Sequence, residues 1–348
     1  MEKRICAFYN YKGDVFIDEE PIPELKKGEV LVKVGASLIS PGTELGTIIK
    51  LRKNPDPSKF KKKPFGYSNS GEIIELSKDC KNFKIGQKVA CMGSGYALHT
   101  NYASIPQNLC VPLPEELSFE EGSFCHLAST ALWAIRRGKL EIGENVVVIG
   151  LGIIGQIVAQ LAKISGCHVI CWDKYDFRLK KAIENGIDKI VNIEIQDAVK
   201  EALEFSRNYG IDKGFICFGG EGTESIKLLL KTMKTAPDTH KYGKIIIVGL
   251  VDVKLEFPVA LGNIDICSSS RPGPGYHDKK WEHGDDYPEV FVQWTTKRNI
   301  EEVLIFIKER RLNVKSLITD IFPLKEISSA CEKLLNYPEK TLGVILKP

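Results

Sequence analysis

The run Gly150-Leu151-Gly152-Ile153-Ile154-Gly155 constrains this chain more than any other. A G-x-G-x-x-G string means little alone and takes its meaning from its flanks. Before it, Val146-Val147-Val148-Ile149 is a β-branched run that reads as a buried strand. After it, Ile153, Ile157, Val158, Leu161 and Ile164 fall at helical spacing on one apolar face, which predicts a helix over 153–164. In such a strand–turn–helix unit Gly150 permits the tight turn, Gly152 lets the backbone approach a pyrophosphate, and Gly155 lets the helix pack on the strand. The pyrophosphate would rest on the helix N-terminus, where unpaired N–H groups and the helix dipole favour an anion. A second β-rich run, His168 to Trp172, ends on Asp173. An acid about 20 residues past the glycines accepts hydrogen bonds from the adenine-ribose hydroxyls of NAD and repels the extra phosphate of NADP. Lys174 and Arg178 leave room for NADP, and NAD is favoured. Ile153, Ile154, Phe218, Gly249 and Leu250 complete the expected cofactor contacts. The competing reading is a glycine-rich turn of some other α/β protein.

Around this unit the pattern alternates. Strands are expected at 146–149, 168–172, 189–191, 211–217 and 244–248, and helices at 153–164, 177–184 and 224–233, which together predict a parallel sheet covered by helices. The first 125 or so residues read differently. Short β segments such as 30–34, 71–76, 88–92 and 102–105 are separated by glycine and proline signals, as in a compact barrel-like β unit. Past Ile264 comes a Gly- and Pro-rich stretch, 268–288, then helices at 299–309 and 324–336 and a closing strand at 343–347. The expected fold class is α/β, with a β-rich part over 1–126 and a dinucleotide-binding domain over 127–264.

Composition excludes several functions. Forty-eight basic against 45 acidic residues give a net charge of +3, which is no nucleic-acid footprint. No apolar run approaches the ~20 residues a membrane span needs. The opening Met1-Glu2-Lys3-Arg4-Ile5 lacks the apolar core of a secretory signal. The ten cysteines are scattered without a Cys-x-x-Cys pair and read as buried thiols. A cytoplasmic chain with a small-molecule partner, no nucleic acid and no membrane is expected, with a homodimer as the option for assembly.

The order of these parts resembles the medium-chain dehydrogenase/reductase superfamily. So do 66–71 (Gly-Tyr-Ser-Asn-Ser-Gly), 83–89 (Phe-Lys-Ile-Gly-Gln-Lys-Val) and the stretch from Tyr242 to Gly249. The runs 39–44 (Ile-Ser-Pro-Gly-Thr-Glu), 273–276 (Gly-Pro-Gly-Tyr) and 286–288 (Asp-Tyr-Pro) are similar to its threonine-dehydrogenase-like, bi-domain oxidoreductase branch. The resemblance implies a GroES-like catalytic domain over 1–126 and 265–348, a Rossmann domain over 127–264, and so a C-terminal segment returning to the first domain. It also implies reversible oxidation of a secondary alcohol to a ketone, on a sugar, cyclitol or polyol.

The family's zinc positions are altered. Ser40 stands where the resemblance places a cysteine thiolate, and Tyr67-Ser68 stand where it places a His-Glu pair. Zinc needs thiolate, imidazole or carboxylate donors. The four-cysteine lobe of the structural zinc is also missing after Cys91, so no zinc is expected. The resemblance instead brings Tyr67, His99 and His126 to the catalytic pocket, with Thr43 and Glu44 on the turn that carries the proton relay. A histidine titrates near neutrality and exchanges a proton, and a tyrosine hydroxyl polarises an oxygen. Structural histidines, or a metal held by Glu44, His99 and His126, are the alternatives. Lys50, Arg52, Lys53, Lys59, Lys61, Lys62 and Lys63 form a basic run that either steers an anionic substrate or is a solvated loop. Tyr276 and Trp281, in the loop from Arg271, are expected to stack on a sugar ring, with an interface loop as the alternative. A zinc-free enone reductase and a nucleotide-binding protein without turnover remain the competing functions.

Overall fold

The computed structural model describes residues 3–58, 60–80, 82–256 and 261–348. The chain divides into two compact units, Met1–Ser129 with Pro272–Pro348, and Thr130–Arg271.

In the second unit, six parallel strands lie in the spatial order Lys189–Asn192, His168–Asp173, Asn145–Ile149, Lys213–Ile216, Tyr242–Ile247, Asn263–Ser268. Counted along the unit, this is the 3-2-1-4-5-6 order of a doubly wound dinucleotide-binding sheet. The alternation read from the sequence therefore gives the α/β fold expected, with one strand more: Asn263–Ser268 carries the sheet past Ile264. Strands buried on both faces need continuous apolar runs, and 145–149 is wholly buried. Val147, Ile149, Ile170, Trp172, Ile216 and Ile245 pack there with Ile226 and Leu229 of the helix Thr223–Thr232.

The first unit is β-rich. Glu29–Leu38 is its central strand, antiparallel to Ser68–Leu76, Tyr102–Pro106 and the closing strand Gly343–Lys347. Lys88–Met92 and Cys110–Pro112 extend this sheet on one side, and Ile318–Pro323 on the other. A smaller sheet joins Lys3–Asn10 to Val15–Pro21 and Lys62–Pro64. Three features matter for the site. The central strand runs into a single π-helical turn, Pro41–Leu45. Tyr67 immediately precedes the strand Ser68–Leu76, and the helix Cys125–Gly138 begins one residue before His126.

All ten cysteines are free thiols. Among the described residues no helix is long and apolar enough to cross a membrane. Of the basic run, Lys59 lies outside the described residues. Arg52 pairs with Glu332 and Lys62 with Asp18, so those two cations are engaged locally.

Candidate active site

In the second unit the cofactor-binding turn is built as its residues require. Gly150 follows the strand Asn145–Ile149, and Gly152 is the N-cap of the helix Ile153–Ile164. A Cβ on Gly155 would meet the Gly150 carbonyl oxygen at 1.9 Å, so only glycine allows this helix to approach the turn. The first-turn N–H groups at 153–155 lack intrahelical acceptors and face outward along the axis. Asp173 closes its strand with a buried carboxylate that accepts the Leu151 N–H at 2.6 Å and the Tyr175 N–H at 2.9 Å. It thus braces the glycine turn as well as ending the strand. Lys174 and Arg178 both lie over the Tyr175 ring. Phe218 and Gly249 follow the strands Lys213–Ile216 and Tyr242–Ile247, and Leu250 is exposed beside them. Ligands of such sheets bind outside the carboxyl ends of the strands where strand order reverses, which is where Gly150 and Phe218 lie. These residues fit a dinucleotide.

In the first unit, Tyr67 and His126 lie together, ring centroids 4.4 Å apart. His126 Nδ1 donates to the Tyr67 carbonyl at 3.2 Å. That bond fixes the neutral tautomer, leaving Nε2 as the ring's acceptor nitrogen. Burial pushes the His126 pKa down to about 4, with the nearby His277 adding to the effect. The Tyr67 phenol is held well above its usual range, first by burial and then by the Glu44 carboxylate. Its hydroxyl lies within hydrogen-bonding reach of Ser40 and Thr43. Tyr67 therefore remains a phenol and His126 a neutral imidazole at ordinary pH. Thr43 is exposed, which gives this cluster a route to solvent.

His99 and Glu44 depart from expectation. His99 is fully buried, with Nδ1 2.8 Å from Ser37 Oγ and Nε2 3.2 Å from Glu44 Oε1. Glu44, also buried, accepts the Ser40 N–H at 2.6 Å through its other oxygen. The imidazole and carboxylate face each other out of line for a hydrogen bond, and neither Nε2 nor Oε1 has another partner. The sequence reading aimed His99 into the pocket and Glu44 outward along a relay. Instead the two buried side chains turn toward each other, and Glu44 braces the 40–45 turn through the Ser40 N–H.

Tyr276 meets His126 edge-on, centroids 5.7 Å apart, and stacks on His277 at 3.9 Å. Its hydroxyl oxygen accepts the Ser94 N–H at 2.8 Å. Trp281 does not join them. It is buried, it stacks on Tyr287, and Gly275 (φ +102°) lies so close that a Cβ would meet its ring at 2.5 Å. Its expected role on a sugar ring is corrected to packing. His277 was missed by sequence reasoning, although it adjoins Tyr276 in the same Gly-Pro-rich loop.

The zinc positions are filled by groups that do not fit the metal. Ser68 is fully buried and donates its hydroxyl to the Ser123 carbonyl at 2.7 Å. Ser40 and Tyr67 offer neutral hydroxyls. Among the described residues no three His, Cys, Asp or Glu side chains cluster as a metal requires. Glu44 and His99 converge without His126, so the alternative three-residue site does not form.

Residues 154–282 match the family model described as zinc-binding dehydrogenase. The sorbitol dehydrogenase of Bacillus subtilis is 25% identical, over 99% of this chain and 97% of the relative. Among solved structures, an Escherichia coli oxidoreductase/dehydrogenase of unknown specificity superposes with a TM-score of 0.82 at 20% identity, over 99% of both chains. The 2R,3R-butanediol dehydrogenase of Bacillus subtilis gives 0.76 at 19%, again over 99% of both. Along nearly its whole length, then, the chain is similar to proteins named as alcohol and polyol dehydrogenases. This chain carries hydroxyl groups, rather than metal-binding donors, at positions 40, 67 and 68.

Proposed function

We propose that this chain is an NAD-dependent oxidoreductase of the threonine-dehydrogenase-like branch. On this reading it interconverts a secondary alcohol and a ketone on a sugar, cyclitol or polyol, and works without zinc. The 1–126/265–348 segment carries the proton chemistry and the 127–264 segment the cofactor. Relatives named as sorbitol and butanediol dehydrogenases support the alcohol and polyol chemistry.

The observation that carries the reading is the Tyr67–His126 pair, with its 4.4 Å ring contact and fixed tautomer. NAD, when bound at Gly150–Gly155 and Asp173, supplies the hydride acceptor. The protein's own residues do the rest. His126 accepts the hydroxyl proton at Nε2, the only basic nitrogen of its tautomer. Tyr67, kept as a phenol, donates a hydrogen bond to the oxygen as it becomes a carbonyl. Ser40 and Thr43 hold the Tyr67 hydroxyl, and the exposed Thr43 passes protons to solvent. Glu44 and His99 hold the turn that positions both. Asp173 favours NAD by placing a buried carboxylate where NADP would bring a phosphate.

The purified protein is tested with NAD, NADP and a panel of polyols, with elemental analysis of the same sample. The reading expects NADH formation from at least one polyol, tighter calorimetric binding of NAD than NADP, and no stoichiometric zinc. Enone reduction without alcohol oxidation, or one zinc per chain with activity lost on chelation, contradicts it.

A further inference from the structure

The Tyr67 carbonyl accepts two hydrogen bonds, one from His126 Nδ1 at 3.2 Å and one from the Gly93 N–H at 2.9 Å. The next amide along the chain, the Ser94 N–H, donates to the Tyr276 hydroxyl oxygen at 2.8 Å. Consecutive amides of one turn therefore hold the two tyrosines between which the His126 ring lies. The ring centroids are 4.4 Å apart on the Tyr67 side and 5.7 Å apart on the Tyr276 side. Gly93 has φ +123°, a conformation that favours glycine.

The loop that carries Tyr276 is held at every residue. Asn299 Nδ2 donates to the Pro272 carbonyl at 2.8 Å, the Thr296 hydroxyl to the Gly273 carbonyl at 2.9 Å, and the Thr296 N–H to the Pro274 carbonyl at 2.8 Å. Gly275 lies against the Trp281 ring, and the His277 N–H donates to the buried Glu282 carboxylate at 2.8 Å. His277 keeps a left-handed backbone (φ +75°), uncommon outside glycine, with its ring stacked on Tyr276 at 3.9 Å. Such strain persists only where the surroundings over-determine it. Here those surroundings fix the Tyr276 ring beside His126. Exposure rises outward along this row: His126 is buried, Tyr276 half-buried and His277 exposed.

We propose that Tyr276 is a positioning residue for the base: clamped by the Gly93-Ser94 turn, it screens His126 from water and holds the imidazole against Tyr67. The proposal rests on the dehydrogenase reading above and gives Tyr276 a different task from the sugar stacking expected of it. His277 already covers one face of the Tyr276 ring, and Ser94 already engages its hydroxyl. A base that takes the substrate's proton must be neutral beforehand and fixed in place. An imidazole kept from water resists protonation, and a displacement of about 1 Å can cost about 10²-fold in rate. The titratable groups around the ring are Tyr67, Tyr276 and His277, with Cys125 before it in the chain and Glu44 beyond Tyr67. Burial is the largest influence on His126, and a charged His277 acts in the same direction.

The test follows His126 by NMR titration of the imidazoles in the full-length protein, with kcat/KM for sorbitol and NAD measured against pH on the same samples. Tyr276→Ala should raise the His126 pKa from about 4 toward the ordinary 6.5, by at least about one unit. Its loss in kcat/KM should be larger near pH 5 than near pH 8, because the base is then partly protonated. His277→Gln removes the neighbouring charge but leaves Tyr276, and should move His126 less. Ser94→Pro deletes the tether from a different element. Ser94 is the second residue of a turn closed by the Tyr96 N–H on the Gly93 carbonyl at 3.1 Å, a place that accepts proline. This variant should shift His126 in the same direction, and it reports even if Tyr276→Ala folds poorly. Wild-type titration of His126 in folded Tyr276→Ala or in Ser94→Pro overturns the proposal while leaving the dehydrogenase reading intact. So does a shift in His277→Gln as large as that in Tyr276→Ala. Oxidation of neither sorbitol nor any other polyol by the wild type overturns both.

Discussion

Burial pushes the His126 pKa from the ordinary 6.5 to about 4, while its Nδ1–H is committed to the Tyr67 carbonyl. NMR titration of the imidazole should therefore find one neutral, Nδ1-protonated tautomer at neutral pH, with protonation only near pH 4. A ring that charges near its ordinary value contradicts the account. The same shift links to stability. Below about pH 6.5 the unfolded chain takes up a proton that folded His126 refuses, so stability falls as pH drops from about 6.5 to about 4, by at most about 3 kcal/mol. Denaturant unfolding of His126→Gln and wild type near pH 7 and near pH 5 checks this: the variant should lose less stability between the two. Tyr67 and His126 were legible as candidates because their residue types and positions stand where the resemblance implies metal ligands. The inward turn of His99 was not, since Leu98-His99-Thr100 has no alternation that says which side faces the core. Glu282 was missed for a similar reason: an acid on a four-residue helix gives no sign of being buried.

Elements with a long apolar period were read correctly from sequence alone. The helix Ile153–Ile164 has the predicted bounds, because nine of its residues are buried and glycine marks its start. The helix expected over 324–336 opens as a tight turn, Leu324–Glu326, before the α-helix Ile327–Asn336. Leu324 continues the apolar pattern, so periodicity alone does not separate the two. The short helix Gly46–Lys53 went unread because only Ile48 of it is buried and its last turn is basic. At this scale the decisive contact is Gly155 against the Gly150 carbonyl. Gly155→Ala must push the helix off its strand, at a cost of about 1–3 kcal/mol for overpacking. Calorimetry should find NAD binding weakened at least tenfold in a chain that still folds. Unchanged affinity would remove this turn from the cofactor site.

Across the whole molecule, the first unit gathers residues from positions 37 to 44, 67, 99, 126 and 276, which no local pattern links. Their meeting depends on strand register: Ser37 pairs with Asn69 on one side and with Leu346 of the closing strand on the other. The order of β-rich part and parallel sheet was legible because turn signals and alternation change abruptly along the chain, whereas the return of the last segment to the first unit was implied by the resemblance alone. The meeting of Ser94 with Tyr276 was not legible, since it exists only where two distant loops meet. The central claim is that Tyr67 and His126 handle the oxygen and proton of the substrate. The most direct measurement compares NADH formation from the best polyol in wild type, Tyr67→Phe and His126→Gln, with NAD affinity measured on the same samples. The account predicts that His126→Gln loses about 10²–10⁴-fold in kcat, as for a missing general base, and that Tyr67→Phe also slows, while NAD binds both variants as it binds the wild type. Wild-type turnover in both variants would contradict it.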